Sequence, residues 1–368
     1  GSILNDYNIK KVLVVTGKGS VEKSGLLRRV LEKIEENEIE FKVYKGVRAN
    51  PTIQSCRECL EIAKDFKPDL LLPIGGGSVI DCSKNVAVGY YYDGDSFDFN
   101  LHKSQPKKAL PIGVILTISA AGSEMSNSCV IQDDETGKKS GFNCDLVRPL
   151  FAIENPELTY TVPKVQTAYG IVDILMHTLE RYLCKSNGIE PADDFALSVL
   201  KNVVAVAEKA YKNPTDYESR AVLMLMSSFS HNDVTSMAKD KRMPVHALEH
   251  TVSGVYPFVA HAAGLALIYP KWARYYLKYD VDKFDRLGKV VFDLNDENKQ
   301  KNAENAINSL EKLFLEMEMP MKFKDLGIEN PDIERLINLL TNNGTTSVYH
   351  HCEPLDKNVA RTIFEQCR

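Results

Sequence analysis

Short apolar runs alternate with segments of helical periodicity over residues 11–155. The runs are rich in Val, Ile and Leu on both faces, which favours strands that are buried on both sides. The predicted strands are Lys11–Gly17, Phe41–Tyr44, Asp69–Ile74 and Leu110–Thr117, with shorter strand-like pieces at CVIQD, GFN and Pro149–Asn155, and the predicted helices are Glu22–Asn37 and Pro51–Phe66. This alternation predicts an α/β domain with a parallel sheet covered by helices.

The pattern changes to long helical windows after residue 166. These windows are Thr167–Leu183, Asp194–Lys212, Glu218–Ser230, Val245–Val255, Ala263–Tyr279 and Lys299–Met317. Pro270 is expected to break or kink the fifth window. The polar stretch Asn155–Gln166 marks the boundary, so we expect an α/β domain at residues 1–160 and an all-helical domain at residues 161–368, with a ligand cleft between them.

Composition excludes two classes of partner. The 368 residues carry a formal net charge of −5, so no basic field predicts nucleic-acid binding. No run of 18 apolar residues predicts a membrane span. The eight cysteines lack the spacing of a disulfide scaffold, so we expect reduced thiols in a cytoplasmic protein.

Three turns rich in glycine and serine follow predicted strands. TGKGS supplies Gly17, Gly19 and Ser20, GGGSVID supplies Gly75, Gly76, Gly77, Ser78 and Asp81, and TISAAGSEMS supplies Thr117, Ser119 and Ser123. Glycine lets a backbone approach an anion, and the free N–H groups at a helix start favour a phosphate. Because parallel strands end at one edge of a sheet, the three turns together suit a dinucleotide. Neither the G-x-G-x-x-G nor the P-loop spacing is present, and a turn without a ligand is the alternative.

The helical half carries carboxylate and imidazole side chains at helical spacing. Asp173 and His177 are one turn apart, as are His246 and His250, and His261 follows eleven residues later. Residues i and i+4 share a helix face, so each pair could bind one ion. One carboxylate with up to four imidazoles is a nitrogen-rich set of donors, which suits Fe(II) or Zn(II) rather than Ca or Mg. A capping carboxylate and buried core histidines are the alternative, and H-A-L-E-H lacks the H-E-x-x-H order of zinc proteases. The histidines without an evident partner are His102, His231, His350 and His351.

Five motifs are far more specific together than singly. They are VLVVTGKGSVEKSG, GGGSVID, TISAAGSE, QTAYGIVDILMH and HALEHTVSGVYPFVAHAAGLA. As a set they resemble the iron-containing alcohol dehydrogenase family, in particular its branch of butanol dehydrogenases and NADPH-dependent aldehyde reductases, and the resemblance covers nearly the whole chain. It implies a Rossmann-like dinucleotide-binding α/β domain followed by an all-helical metal domain, a fold shared with dehydroquinate synthase.

The resemblance also implies roles for individual residues. The metal ligands would be Asp173, His177, His246 and His261, with Fe²⁺ as the ion and Zn²⁺ as the other candidate. His250 would lie near the nicotinamide and the substrate, on a proton path. Gly75, Gly76, Gly77, Ser78 and Asp81 would form the pyrophosphate loop, Thr117 and Ser123 would belong to a turn that contacts the cofactor, and Lys139 would be a cofactor-contacting lysine. A homodimer is expected.

Two departures from the family pattern fall near His261. The family usually has Gly directly after the last ligand, whereas Ala262 and Ala263 precede Gly264 here. The spacing from His246 to His261 is one residue longer than in the commonest members. The family's further N-terminal strand has no evident counterpart, which suggests that the sequence starts late.

The expected reaction is reversible hydride transfer between a nicotinamide and a small primary alcohol or aldehyde such as butanol or butanal, with the metal polarising the substrate oxygen. One carboxylate and three neutral imidazoles would leave a divalent site near +1. NAD-preferring relatives carry an acid where this chain has Gly17, followed by Lys18, so NADP(H) is expected over NAD(H). The alternatives are a glycerol-dehydrogenase-like or dehydroquinate-synthase-like enzyme, a metal-dependent phosphohydrolase, and a non-catalytic metal- or nucleotide-binding protein.

Overall fold

The computed structural model describes residues 2–184, 190–240, 242–348 and 353–368. The chain forms two compact units, Gly1–Thr161 and Val162–Arg368, which are called unit 1 and unit 2 below. The seven cysteines in the described ranges are free thiols, whereas His350, His351 and Cys352 lie outside those ranges. In the part of the chain that is described, no helix has the length and apolar character needed to cross a bilayer.

Unit 1 is built on a parallel sheet. Its strands in chain order are β1 (Lys11–Gly17), β2 (Glu40–Val47), β3 (Leu70–Gly75), β4 (Gly113–Leu116), β5 (Ser128–Gln132), β6 (Lys139–Asn143) and β7 (Phe151–Ile153). Five of them pair in parallel in the order β2-β1-β3-β4-β7. The order changes direction between β1 and β3, which is where open α/β sheets bind ligands, at the carboxyl ends of the strands. The three glycine turns follow β1, β3 and β4, and therefore share this edge.

The helices of unit 1 pack beside this sheet. They are α1 (Ser2–Asp6), α2 (Ser20–Lys23), α3 (Leu26–Glu35), α4 (Ile53–Phe66), α5 (Gly77–Gly89) and α6 (Phe97–Asn100). The single helix predicted over Glu22–Asn37 is wrong, because Gly25 has φ 73° and separates α2 from α3. This left-handed conformation favours glycine, so the break is written into the sequence.

Two strand-like pieces leave the main sheet. β5 and β6 pair with each other in antiparallel register, from Ser128 opposite Asn143 to Gln132 opposite Lys139. The alternation of apolar runs identified both strands, but a run does not specify its partner strand. The ribbon lies against α5, the helix that follows the GGGS turn.

The regular elements of unit 2 in its described residues are helices, apart from an isolated antiparallel bridge between Val348 and Leu355. The helices are α7 (Lys164–Leu183), α8 (Glu190–Lys212), α9 (Tyr217–His231), α10 (Pro244–Val255), α11 (His261–Tyr276), α12 (Val281–Phe292), α13 (Lys299–Glu316), α14 (Ile333–Leu340) and α15 (Lys357–Glu365). α11 runs through Pro270, so the helix is not broken there, while the alternative of a kink stays a prediction. α7 is buried continuously from Ile171 to Leu183, which makes it the central helix of the unit.

Candidate metal centre and cofactor-binding loops

The turn after β3 has no room for side chains. Gly76 lies between Gly75, the last residue of β3, and the start of α5. A Cβ on Gly75 would lie 2.6 Å from Val79 Cγ2, and a Cβ on Gly76 would lie 2.3 Å from Ile118 Cγ2. Both distances are well inside van der Waals contact, so only glycine permits this backbone path. The first N–H groups of α5 therefore stand at a bare turn that suits a phosphate.

The turn after β4 packs directly against this loop. The backbone N–H of Thr117 donates to the Gly75 carbonyl at 3.1 Å. A Cβ on Gly77 would lie 3.2 Å from Ala121 Cβ, so the two turns are in contact. Ser78 is the second residue of α5 and Ser119 lies in the facing turn, and both are half-buried. The two predicted phosphate turns thus form one continuous surface.

Asp81 and Ser123 bind each other. The Ser123 hydroxyl donates to Asp81 Oδ1 at 2.5 Å, and the Val130 N–H donates to Asp81 Oδ2 at 2.9 Å. Both carboxylate oxygens are therefore engaged within unit 1. This arrangement makes Asp81 an anchor that fixes α5 to the turn after β4 and to β5.

The turn after β1 brings no acidic residue to its tip. Gly17 ends the strand, and a Cβ on it would lie 3.3 Å from the Val47 carbonyl oxygen, which is a tight contact. Gly19 has φ 129°, a conformation that favours glycine. Lys18 and Ser20 are exposed. Lys139, which was expected to contact the cofactor, lies in β6, and its Nζ donates to Asn50 Oδ1 at 3.2 Å.

Lys84 is fully buried in α5 and was not among the residues expected to be functional. Its Nζ donates to the Ser126 carbonyl at 2.9 Å, the Ser126 hydroxyl at 3.1 Å and the Ser128 carbonyl at 2.9 Å. Burial lowers the pKa of Lys84, and the charge of Asp81 opposes this shift. A lysine three residues after Asp81, and so on a neighbouring position of the helix surface, was the available signal.

Four side chains from three helices of unit 2 converge on one point. α7 carries Asp173 and His177, α10 carries His246, and α11 begins at His261. Asp173 Oδ1 lies 3.4 Å from His177 Nδ1, 4.0 Å from His246 Nε2 and 4.0 Å from His261 Nε2. Metal bonds of about 2.0–2.2 Å would put tetrahedral neighbours about 3.3–3.6 Å apart. Asp173, His177 and His246 offer ligand atoms that all lie within 4.8 Å of one another, whereas His261 meets that limit with Glu249 and His250 instead. One divalent ion fits these four side chains once His261 moves closer to the other three.

Two of these nitrogens lack hydrogen-bond partners. Within the described ranges, His177 Nδ1 and His246 Nε2 are buried and accept or donate no bond. Buried polar atoms are normally satisfied, so such atoms facing a carboxylate call for a cation. Burial and the nearby His231 and His246 lower the pKa of His177 well below its usual range. This favours the neutral imidazole, the form that binds a metal.

Two carboxylates that the sequence analysis did not single out as functional hold the outer nitrogens of the imidazoles. Glu180 Oε2 bonds His246 Nδ1, and Glu249 Oε2 bonds His261 Nδ1. Both glutamate side chains are completely buried. The signal was present, because Glu180 lies seven residues after Asp173 on the same helix face.

His231 was wrongly set aside. It ends α9, and its ring centroid lies 4.3 Å from that of His177. His250 lies near the centre as expected, with its ring centroid 5.3 Å from that of His261 and 6.3 Å from that of His246. Sequence distance hid His231, since its neighbour belongs to a helix more than 50 residues earlier.

Further charged side chains surround the ligand set, for which a charge near +1 is expected. Three buried carboxylates, from Asp173, Glu180 and Glu249, surround the imidazoles. The Arg181 guanidinium is buried beside them and donates to the His177 carbonyl at 2.8 Å. With a divalent ion, these three carboxylates and this guanidinium sum to zero, and the charge of Asp233, which raises the pKa of Arg181, adds a negative charge nearby.

Comparison with known proteins identifies the family. Residues 1–156 match the family described as "Iron-containing alcohol dehydrogenase", and residues 167–356 match "Fe-containing alcohol dehydrogenase family, C-terminal". The chain belongs to the iron-containing alcohol dehydrogenase family, which confirms the resemblance. It is an alcohol dehydrogenase or aldehyde reductase of that family and uses a nicotinamide cofactor.

Individual relatives cover most of the chain. It is 39% identical to the NADH-dependent butanol dehydrogenase A of Clostridium acetobutylicum, over 88% of this chain and 84% of that protein. It is 30% identical to the NADPH-dependent aldehyde reductase YqhD of Escherichia coli, over 97% and 92% respectively. The crystal structure of NADH-dependent butanol dehydrogenase A from Thermotoga maritima superposes with a TM-score of 0.93 at 31% identity, covering 100% of this chain and 93% of that one.

Proposed function

We propose that this enzyme interconverts small primary alcohols and aldehydes, such as butanol and butanal, with one Fe²⁺ held by Asp173, His177, His246 and His261. Zn²⁺ suits the same donors. The observation that carries the proposal is the convergence of three imidazole nitrogens within 4.0 Å of Asp173 Oδ1. Relatives named as butanol dehydrogenase and aldehyde reductase give the substrate class.

The bound ion would supply a Lewis acid for the substrate oxygen. The chain's own residues hold the centre in shape. Asp173 contributes the one charged ligand, and Glu180 and Glu249 direct the Nε2 atoms of His246 and His261 inward through their Nδ1 bonds.

His250 is the candidate for moving the proton. Oxidation of an alcohol by NAD(P)⁺ gives an aldehyde, NAD(P)H and one proton, and reduction consumes that proton. His250 is half-buried and adjoins the ring of His261, so it has both the centre and solvent within its surroundings. Imidazole exchanges protons near neutral pH, which suits this role.

The glycine turns of unit 1 are the proposed cofactor site. Gly75, Gly76, Gly77 and Ser78 offer backbone N–H groups and a hydroxyl to the pyrophosphate. Thr117, Ser119 and Lys139 extend this surface, together with Gly17, Gly19 and Ser20 at the neighbouring strand end. Asp81 and Ser123 support the site by holding its turns together.

We propose a preference for NADP(H). Residues 17–19 are Gly-Lys-Gly, so this turn has no acidic side chain that would repel a 2′-phosphate, and Lys18 is exposed. Glu22, in the helix that follows, forms an ion pair with Lys45, which offsets its charge. Relatives named for NADH and for NADPH both match this chain, so the ratio of kcat/KM for the two cofactors is the deciding measurement. A clear NADH preference would overturn this part of the proposal.

The reaction is tested by following NADPH oxidation with butanal after anaerobic loading with Fe²⁺, and separately with Zn²⁺. We expect metal-dependent turnover that falls to background in His246→Ala. His102→Asn is the matched control, because His102 is exposed in unit 1 and its φ of 56° is tolerated by Asn. Absence of turnover across short aldehydes, with the metal bound, would refute the substrate assignment. The proposed homodimer is checked separately by light scattering.

A further inference from the structure

The ligand His261 differs from the other members of the centre in exposure. Its side chain is 24% exposed, against 7% for His177 and 8% for His246. It is also the first residue of α11, preceded by the loop from Tyr256 to Ala260, so no helical turn restrains it on that side. An exposed ligand at a helix end is the natural point for a metal site to open.

We propose that Glu249 is a positioning residue that holds His261 against the metal and thereby sets how fast the ion is released. The proposal rests on the function proposed above. Glu249 Oε2 bonds His261 Nδ1, so this nitrogen carries the proton and Nε2, 4.0 Å from Asp173 Oδ1, presents its lone pair to the ion. Partners of this kind orient metal-binding histidines and raise their basicity.

Glu249 is itself fixed by the backbone of α11. A Cβ on Gly264 would lie 2.8 Å from Glu249 Cγ and 3.1 Å from Glu249 Oε1. Gly264 follows His261 by three residues, so it lies one helical turn along α11. The glycine therefore leaves the space that the Glu249 carboxylate occupies beside His261. This gives a physical reason for a glycine at position 264 after two alanines.

Glu180 also bonds the backbone of the helix that carries its histidine. It accepts from the backbone N–H groups of Val245 at 2.6 Å and His246 at 3.2 Å, besides bonding His246 Nδ1. It therefore also caps the start of α10. Removing Glu180 would disturb the helix as well as the ligand, whereas Glu249 acts on the ligand at the exposed side of the centre. Glu249 is thus the better place to separate metal retention from folding.

The test measures release of the ion from the Zn²⁺-loaded protein into an excess of a chromophoric chelator. Losing such a partner typically costs about 10–100-fold in metal affinity. We expect release to accelerate by about that factor in Glu249→Ala and by less in Glu249→Gln, since the amide oxygen still accepts the Nδ1 proton without the charge. Gly264→Ala should also accelerate release, although it changes no ligand and no charge.

Gly288→Ala is the matched control. It also places a Cβ into a tight helical site, 3.1 Å from the Asn302 carbonyl oxygen and 3.3 Å from Ala306 Cβ, but away from the ligands. Its release rate should equal that of the wild type. Fluorescence of Trp272, the only tryptophan, reports whether unit 2 of each variant is folded.

The outcomes separate the two proposals. Folded Glu249→Ala and Gly264→Ala proteins that release Zn²⁺ at the wild-type rate would overturn the role of Glu249 and leave the metal centre standing. Equal acceleration in Gly264→Ala and Gly288→Ala would also overturn it, because the effect would then be general loosening. A wild-type protein that takes up no ion at a His246-dependent site would refute the proposed function itself.

Discussion

Replacing Asp81 tests whether the proposed cofactor-binding turns depend on the hydrogen bonds by which Asp81 holds the turn after β4 and strand β5. In Asp81→Ala, the Ser123 hydroxyl and the Val130 N–H lose their acceptor. Hydrogen bonds to charged groups contribute about 1.5–3 kcal/mol each, so the two bonds amount to roughly 3–6 kcal/mol. Asp81 is half-buried, so water can replace part of these bonds, and burial raises the pKa of its carboxyl, which weakens the charged form. We therefore expect the lower end, about 3 kcal/mol. Loss of the carboxylate also leaves the buried Lys84 ammonium with less compensating charge.

Asp81→Asn should show about half of this effect. The amide keeps one acceptor oxygen and presents its NH₂ group to the other donor, so one of the two bonds remains. The loosened turn after β4 must then be reordered by the cofactor. An ordering cost of about 1–2 kcal/mol would raise the Kd for NADPH by about 5–30-fold. The KM for NADPH should rise with it.

The assay must report on unit 1. Trp272 lies in unit 2, so its fluorescence should remain unchanged and serves as an internal check. Hydrogen exchange of peptides from β4 and β5 follows the loosening directly, and calorimetric titration gives the Kd for NADPH.

Asp69→Ala is the matched control for Asp81→Ala. Asp69 Oδ2 also accepts two hydrogen bonds, from the N–H groups of Lys10 and Lys11 at 2.9 Å each, but at the opposite end of the strands. It should lower the stability of unit 1 and leave the Kd for NADPH unchanged. If both variants weakened NADPH binding equally, or if Asp81→Ala left it unchanged, the anchoring argument would be refuted.

Three further outcomes are expected. Gly76→Ala should raise the Kd for NADPH about 5–150-fold, because relieving its contact with Ile118 costs about 1–3 kcal/mol; an unchanged Kd would contradict this. Hydrogen bonds from Lys209 and Ser219 lower the pKa of Asp216 to about 2, so its stabilisation is present above pH 4 and is lost as pH falls towards 2. In urea unfolding followed by Trp272 fluorescence, the difference in unfolding free energy between the wild type and Asp216→Asn should shrink across that range. A difference that stays constant with pH would contradict this. Removing the metal with a chelator should lower the unfolding midpoint of unit 2, since an ion at 100 times its Kd adds about 2.7 kcal/mol; equal midpoints with and without metal would argue against binding there.

Local features were readable from sequence wherever the physics is local. The glycine turns could be identified from the sequence. The structure gives the reason for glycine there, because a Cβ on Gly75 or Gly76 would meet Val79 or Ile118. Asp173 and His177 are joined by helical spacing alone, so their shared face needs no knowledge of the fold. The same holds for His246 and His250 on α10.

The boundaries that failed were also local, but their signals compete. Gly25 interrupts a convincing helical period because its left-handed conformation ends one helix and starts the next. Pro270 also predicts a break, but the packing of α11 in the core keeps the helix continuous through it. The break at Gly25 therefore follows from a local backbone conformation, whereas tertiary packing overrides the break expected at Pro270.

The completion of the metal centre required the three-dimensional fold. His261 meets Asp173 only because α11 packs beside α7, and His231 reaches His177 only through the end of α9. Glu180 and Glu249 acquire their roles from the same helix packing, which turns an isolated buried carboxylate, unfavourable alone, into the partner of an imidazole. Helical spacing can identify residues on one helix face, but side chains from different helices meet only where burial of their apolar faces fixes the crossing of those helices.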